Sequence, residues 1–542
     1  MRSRFGFISF FLLANLVFLL TNLNMYYMWQ KAPANTYYPF VHGGHADYYL
    51  YLSAIRESKE GSWTTPALFT SEHTESSFWY LYFIAAGKMA AVFSLSPVLA
   101  YHLGRFISIE YLIFGIYLLS KVVLGKRLAF WGAFVGLFST VPPLMLFPNV
   151  FPPQTIPSYW VDFDPSGRMD YLPHHAFGIA SLFMTLYFLF TFLKEKKKKY
   201  LYLGLLGAFA QGLLFPPAGL VIALGFPLSL GIYLFHKAIR QKQFRVNRDD
   251  LKVVIPIVVA VLLTFAALFI MRNQSNKGFP WSQWQSWDVG LWNDMGPVNE
   301  YIILAGGAAL LFSLPAILAI LTQGGRLDLI FIAIWSVLPY ILLPFTNTIG
   351  ISRIRVAFMG NFVPLGILSV LVAKMLAHKF AKKIKPQLFL GAAFALFLLI
   401  SFPVTIYYLK GRVTYVPIGF INLHIPQSIM ESIDYLGKNS KPYSVVLGAD
   451  YIGNMLPAFT RVKSYYGHVT QTKDYGAKSL VVENFYSGKM NPTQALDFIK
   501  RGNINYIYVG PIEKIWGADF IKYKLPIEEF YNREGIVIYK VI

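Results

Sequence analysis

The sequence predicts a mainly α, polytopic helical membrane protein of about eleven spans, with interfacial helices in its first outer loop and a small C-terminal extracytoplasmic α/β domain. Three observations carry this reading. Apolar runs near the ~20 residues that cross a bilayer recur along the first three quarters of the chain. Short basic patches separate them. Beyond residue 409 the sequence turns mixed and polar. The composition agrees: 55% of residues are hydrophobic and 14% charged, with mean hydropathy +0.47, unlike an ordinary soluble domain.

The expected spans are residues 5–29, 103–123, 128–147, 175–193, 200–215, 218–235, 253–271, 301–321, 327–345, 358–376 and 388–409. The first follows Met1-Arg-Ser-Arg4 and lacks a small-residue cleavage site after it, so it reads as an uncleaved span. Pro216-Pro217 marks the tip between the fifth and sixth. The apolar run 78–93 needs a decision, because it holds 16 residues and contains Lys88. If it crossed, the patches at 121–127 and 194–199 would face outward against the positive-inside tendency. If it lies in the outer interface, those patches and the ones at 236–252 and 374–385 all face the cytoplasm. The second arrangement is expected: N-terminus inside, C-terminal domain outside.

That assignment gives a membrane domain over residues 1–409, with outer loops 30–102, 148–174, 272–300 and 346–355, and an extracytoplasmic domain over 410–542. In the latter, residues 425–438 and 493–501 read as helices, and 443–447, 504–509 and 536–541 as strands. Alternating helices and strands predict a partly parallel sheet. No glycine-rich nucleotide fingerprint is present. The net charge of +21 lies in the cytoplasmic patches without interleaved aromatics, which argues against nucleic acid as a partner. With no cysteine, disulfide and thiolate chemistry are excluded.

The candidate site residues lie on the outer side. Asp47 follows the first span and opens a helix over 48–60 that ends at Gly61. On spacing alone it reads first as a helix cap; a carboxylate there also suits a general base. The loop Asp162-Phe-Asp164-Pro-Ser-Gly-Arg168-Met-Asp170-Tyr-Leu-Pro-His174-His175 offers carboxylates, an arginine and two histidines at the mouth of a span. Asp47, Asp164 and Asp170 are the residues to consider if a divalent cation is bound. The histidines are adjacent, so on a helix they should point apart. Arg353 and Arg355 precede a span, where their planar forks suit phosphate or anchor the interface. Trp284 lies in the tryptophan-rich loop at 279–288, suited to stacking on a sugar or to an interfacial belt. His468, in Tyr-Tyr-Gly-His-Val-Thr470, reads first as a packed or turn histidine, with reach to the mouth of the site as the alternative.

The first loop resembles that of the type C glycosyltransferases, particularly the protein O-mannosyltransferases and the undecaprenyl-phosphate aminoarabinose transferases. The matching features are Asp47, the helix ending at Gly61, the second helix at 78–93, and Arg105 opening the next span. Ala46 stands where many relatives carry a second acidic residue. The resemblance implies inverting transfer of a hexose or pentose from a polyprenyl-phosphate donor to an extracytoplasmic glycan, lipid or protein. It makes Asp47 the base and Asp170 the second catalytic carboxylate. Arg105, Arg168, Arg353, Arg355, His174 and Trp284 become substrate-binding residues. A flippase or transporter is the first rival, but it calls for charge at mid-membrane depth, and apart from Glu110 the span interiors are poor in charge. A surface-polysaccharide polymerase or ligase and a scaffold displaying the tail are further alternatives.

Overall fold

The computed structural model describes residues 2–141, 163–243, 247–381, 385–417 and 419–542, and the structure below is that of these residues. They form two compact units: Met1–Asn24, Arg105–Arg272 and Asp288–Tyr415 make the first, and Met25–Gly104, Asn273–Trp287 and Val416–Ile542 the second.

Nine helices among the described residues are long and apolar enough to cross a membrane: Phe5–Gln30, Pro97–Leu124, Pro173–Glu195, Pro216–Gln241, Arg248–Ser275, Val298–Gln323, Leu327–Ile349, Arg353–Lys379 and Pro386–Thr414. The protein is a polytopic helical membrane protein. Two further runs account for the difference from eleven. The run at 200–215 forms a 17-residue helix, Lys198–Leu214. The run at 128–147 is described as a 10-residue helix, Ala129–Phe138, and its part beyond residue 141 lies outside the described residues. Between Lys198–Leu214 and Pro216–Gln241 the backbone leaves helical geometry at Phe215, and Pro216 opens the next helix, where its missing N–H costs nothing.

The first unit is held by close helix packing around a continuous apolar core that includes Phe183, Phe226, Phe331 and Trp335. The Trp335 indole donates to the Met359 carbonyl at 3.2 Å, so its one polar atom is satisfied. Small residues allow the tightest approach. A Cβ on Gly366, in the helix Phe362–Lys379, would overlap the backbone of Gly136 in Ala129–Phe138. Backbone contact of this kind is how helices associate where lipid offers no hydrophobic drive.

In the second unit, the loop that follows the first long apolar helix folds as two helices, His45–Lys59 and Leu81–Val92. The latter's 12 residues rise about 18 Å, well short of the ~30 Å hydrocarbon core, as an interfacial role requires. Tyr51 and Phe83 stack with centroids 4.2 Å apart, and Gly87 lets Leu81–Val92 sit directly on the Ile55 carbonyl.

The same unit contains a short ribbon, β1 (Thr36–Tyr37) against β2 (Ile425–Pro426), which joins the first loop to the tail. Its main sheet uses β3 (Val445–Leu447), β4 (Lys463–Ser464), β5 (Ile504–Val509), β6 (Ile527–Arg533) and β7 (Ile536–Val541) in the order β4-β3-β5-β7-β6. Strand β3 runs parallel to β4 and β5, and β7 runs antiparallel to β5 and β6. The β6–β7 hairpin turns on Glu534 and Gly535, both at positive φ, which matches the twist of tight hairpins. The expected helices appear as Gln427–Asn439 and Pro492–Arg501. Two more, Asp450–Phe459 and Tyr475–Tyr486, complete the layers.

Replacing Gly366 with valine should lower stability by about 1–3 kcal/mol, the usual cost of forcing bulk into a packed contact. A thermal melt of the detergent-solubilised variant unchanged from the parent would show that this backbone contact is not needed.

Candidate functional site

Asp47 is the third residue of the helix His45–Lys59, whose cap position is Gly44 without a side-chain capping bond. The helix starts earlier than the sequence suggests, so Asp47 is not its cap. Its Oδ1 instead receives a hydrogen bond from His468 Nε2 at 3.1 Å. Asp47 Oδ2 has no hydrogen-bond partner among the described residues, and the side chain is 26% exposed. One oxygen is held while the other is open.

His468 is itself fixed. Only 2% of its side chain is exposed, and its Nδ1 accepts the Thr470 backbone N–H at 3.2 Å. The loop carrying it is pinned at both ends within the unit. Thr472 Oγ1 donates to the Phe69 carbonyl at 2.6 Å, and the Ser464 N–H donates to Leu68 O at 2.8 Å. The Lys478 ammonium, buried, shares its three hydrogens among Glu72 at 2.8 Å, Tyr465 O at 3.1 Å, and the hydroxyls of Thr70 and Ser71, both at 3.3 Å. Tyr80, close enough to feel the Asp47 charge, receives a bond from Gln471 Nε2 at 3.2 Å. Burial, and secondarily that charge, raises the Tyr80 phenol above its ordinary range, so it stays protonated. Trp284 stacks on Trp287 with centroids 5.2 Å apart, and Trp287 is well exposed.

The first unit holds the remaining candidates. Asp170, at the end of the short helix Pro165–Met169, accepts from Arg105 at 2.5 Å and from Arg412 at 2.8 Å, one guanidinium on each oxygen. Arg105 also donates to Asn22 Oδ1 at 2.6 Å. Asp170 is thus an anchor for two arginines and is poorly placed to take a proton. Asp164 caps Pro165–Met169 through the backbone of Ser166 and Gly167, fully buried. Arg168 donates to the carbonyls of Gly136, Leu137 and Ser139 and lies over the Phe362 ring, which satisfies a helix end and leaves it 3% exposed. Arg353 donates to the carbonyls of Asn293 and Gly296. Both geometries support a structural role.

Arg355 differs. Its guanidinium donates to His175 Nε2 at 2.6 Å, lies 3.5 Å from Asp288 Oδ1, and remains 24% exposed. Ser352 donates to the other Asp288 oxygen at 2.6 Å. His174 and His175 do not point apart as expected: in the first turn of Pro173–Glu195 their rings meet at 4.1 Å. Asp162 lies outside the described residues. Arg412 and Asp288 are absent from the sequence-based candidates. Arg412 carries the same signal as Arg353, an arginine at the outer end of a span. The His468 contact spans 421 residues and has no local signature.

No family model matches the sequence, and no curated protein matches it. Solved structures do. The crystal structure of the Archaeoglobus fulgidus oligosaccharyltransferase tethered with an acceptor peptide containing the NVT sequon matches with TM-score 0.54 at 13% identity, over 99% of this chain and 74% of that one. ArnT from Cupriavidus metallidurans in the apo state matches with TM-score 0.51 at 11% identity, over 99% of this chain and 98% of that one. The same oligosaccharyltransferase in complex with Zn and sulfate matches with TM-score 0.50 at 12% identity, over 97% of this chain and 72% of that one. The chain therefore has the fold of the type C membrane glycosyltransferases.

The Zn of that neighbour prompts a test of the donors here. Among the described residues no three His, Asp or Glu side chains gather as a cation would need. Of the three candidate carboxylates, Asp164 is spent on a helix cap and Asp170 on two guanidiniums. Of these three carboxylates, only Asp47 keeps an oxygen that the fold leaves unengaged on a partly exposed side chain.

The Lys478–Glu72 tie makes a pH prediction. Burial alone would raise the Glu72 carboxyl, but hydrogen bonds from Lys478 and Thr70 outweigh it, so its pKa falls below the ordinary 4.5. The unfolded chain then takes up this proton first as pH drops. The stability contributed by Glu72 is present above pH 4.5 and is lost as pH falls through the lowered value. Glu72→Gln should be less stable at neutral pH and should lose less on acidification below 4.5. Parallel acid profiles for the two proteins would exclude the assignment.

Proposed function

We propose that the protein is a membrane glycosyltransferase that moves a sugar from a polyprenyl-phosphate carrier to an extracytoplasmic acceptor, with Asp47 as general base. The observation that carries this reading is the state of Asp47: one oxygen is held by a buried histidine, and the other has no hydrogen-bond partner among the described residues, on a side chain 26% exposed. A base needs a fixed position and a free lone pair, and Asp47 has both where Asp170 has neither oxygen to spare. The shared fold with an oligosaccharyltransferase, and the first-loop resemblance, support the reaction class.

In the reaction, an acceptor X–H loses its proton to Asp47 as X bonds to the sugar C1. The C1–O bond breaks on the opposite face, and the electron pair leaves with the polyprenyl phosphate. A single displacement inverts the anomeric centre. The leaving phosphate calls for cationic groups. Arg355, partly exposed beside neutral-capable His175, and Arg412, oriented through Asp170 and Arg105, are the guanidiniums we assign to it. His174 and Trp284 are assigned to donor contact, Trp284 as a stacking platform.

The activity test uses full-length protein in detergent and a panel of synthetic polyprenyl-phosphate hexoses and pentoses, with outer-envelope extract as acceptor. Asp47→Asn should lower transfer ~10²–10⁴-fold, the usual loss for a general base. Its thermal stability should change little, because Gly44, not Asp47, holds the cap position. A normal transfer rate in Asp47→Asn excludes the role.

The chain is oriented with its N-terminus in the cytoplasm and residues 410–542 outside, on the charge argument above. Single cysteines introduced at exposed Lys197 and Lys500 test this, since the chain has no other cysteine. An impermeant thiol reagent on the cell surface should label position 500 and spare 197. The reverse pattern overturns the orientation.

A further inference from the structure

We infer that His468, contributed by the tail, is a positioning residue for Asp47; the inference rests on the reading of Asp47 as base and adds the group that aims it. The hydrogen on the imidazole can be placed from its partners. A backbone N–H only donates, so Nδ1, which takes the Thr470 N–H at 3.2 Å, is the lone-pair nitrogen. The Thr470 hydroxyl lies 3.1 Å from the same Nδ1. In the neutral ring the hydrogen is then on Nε2, which donates to Asp47 Oδ1 at 3.1 Å.

The ring has little freedom to do anything else. It is buried and packs edge-on against Phe69 with centroids 5.8 Å apart. Its own loop is closed by Gly467 N–H donating to Thr472 Oγ1 at 3.0 Å. A Cβ on Gly453 would overlap the Tyr466 carbonyl, so helix Asp450–Phe459 supports the loop backbone to backbone. A donor this rigid fixes the rotation of the Asp47 carboxylate. It occupies Oδ1 and leaves Oδ2 as the atom that takes the acceptor's proton. Misplacing a reacting group by about 1 Å costs on the order of 10²-fold in rate.

A purely structural tie between loop and tail would also place these residues together, so the test separates the two. With whichever donor of the polyprenyl-phosphate panel the parent protein uses, His468→Ala should lower kcat on the order of 10²-fold while KM for the donor stays within about twofold. His468→Gln restores most of kcat, because the glutamine Nε2 stands the same number of bonds from Cα and still donates. His468→Ala added to Asp47→Asn should cost nothing further, since the histidine acts only through the carboxylate. Normal kcat in His468→Ala, with Asp47→Asn inactive, overturns the positioning role and leaves the base intact. Activity in Asp47→Asn instead removes the base reading, and this inference with it. A second readout needs no substrate. In 15N-histidine-labelled full-length protein, the resonance lost in His468→Gln should show hydrogen on Nε2 and a bare Nδ1. Hydrogen on Nδ1 overturns the inference.

Discussion

A buried ammonium holds the first outer loop to the tail. Lys478 gathers the Glu72 carboxylate, two hydroxyls and the Tyr465 carbonyl around one charge, and lies 4.4 Å from the centre of the Tyr465 ring. A charge this far from water is tolerated only when its hydrogens are matched, so the stretch at 70–72 and the segment 465–478 must be in register. That register brings His468 to Asp47. The position of one hydrogen bond at the candidate base thus depends on a charge pair that is remote along the chain from Asp47 and whose lysine lies on the helix after His468.

Environment, more than residue type, separates the acidic side chains. Asp47 has a histidine on one oxygen and space at the other; Asp170 has a guanidinium on each; Asp164 is enclosed in its own helix cap. The arginines divide in the same way. Arg168 and Arg353 spend their hydrogens on backbone carbonyls, whereas Arg355 meets a histidine and an aspartate while keeping part of its surface open. Identical functional groups are sorted into fully engaged and partly available ones by what surrounds them.

Much of the architecture was legible because it follows from periodicity and bulk. The long apolar helices, the Pro216 break, and the strands at 504–509 and 536–541 are local patterns. Strand β6 was not legible, since Ile-Glu-Glu-Phe-Tyr-Asn-Arg is an edge strand with no apolar run, and β4 has two residues. At the site, Asp47 was legible from its place after a span. The helix start was misjudged by three residues, which turned a free carboxylate into an apparent cap. His468 was visible only as a glycine–histidine pair, because its meaning lies in a contact that no window of sequence contains.

The second unit is assembled from three separated stretches, with residues 416–542 the last of them. Strand β2 and the loop at 465–474 come from that stretch, so the partners of β1 and of Asp47 are distant from them in sequence. Such high sequence separation makes closure late and entropically costly. A chain without residues 416–542 keeps the apolar helices but loses the histidine that meets Asp47 Oδ1.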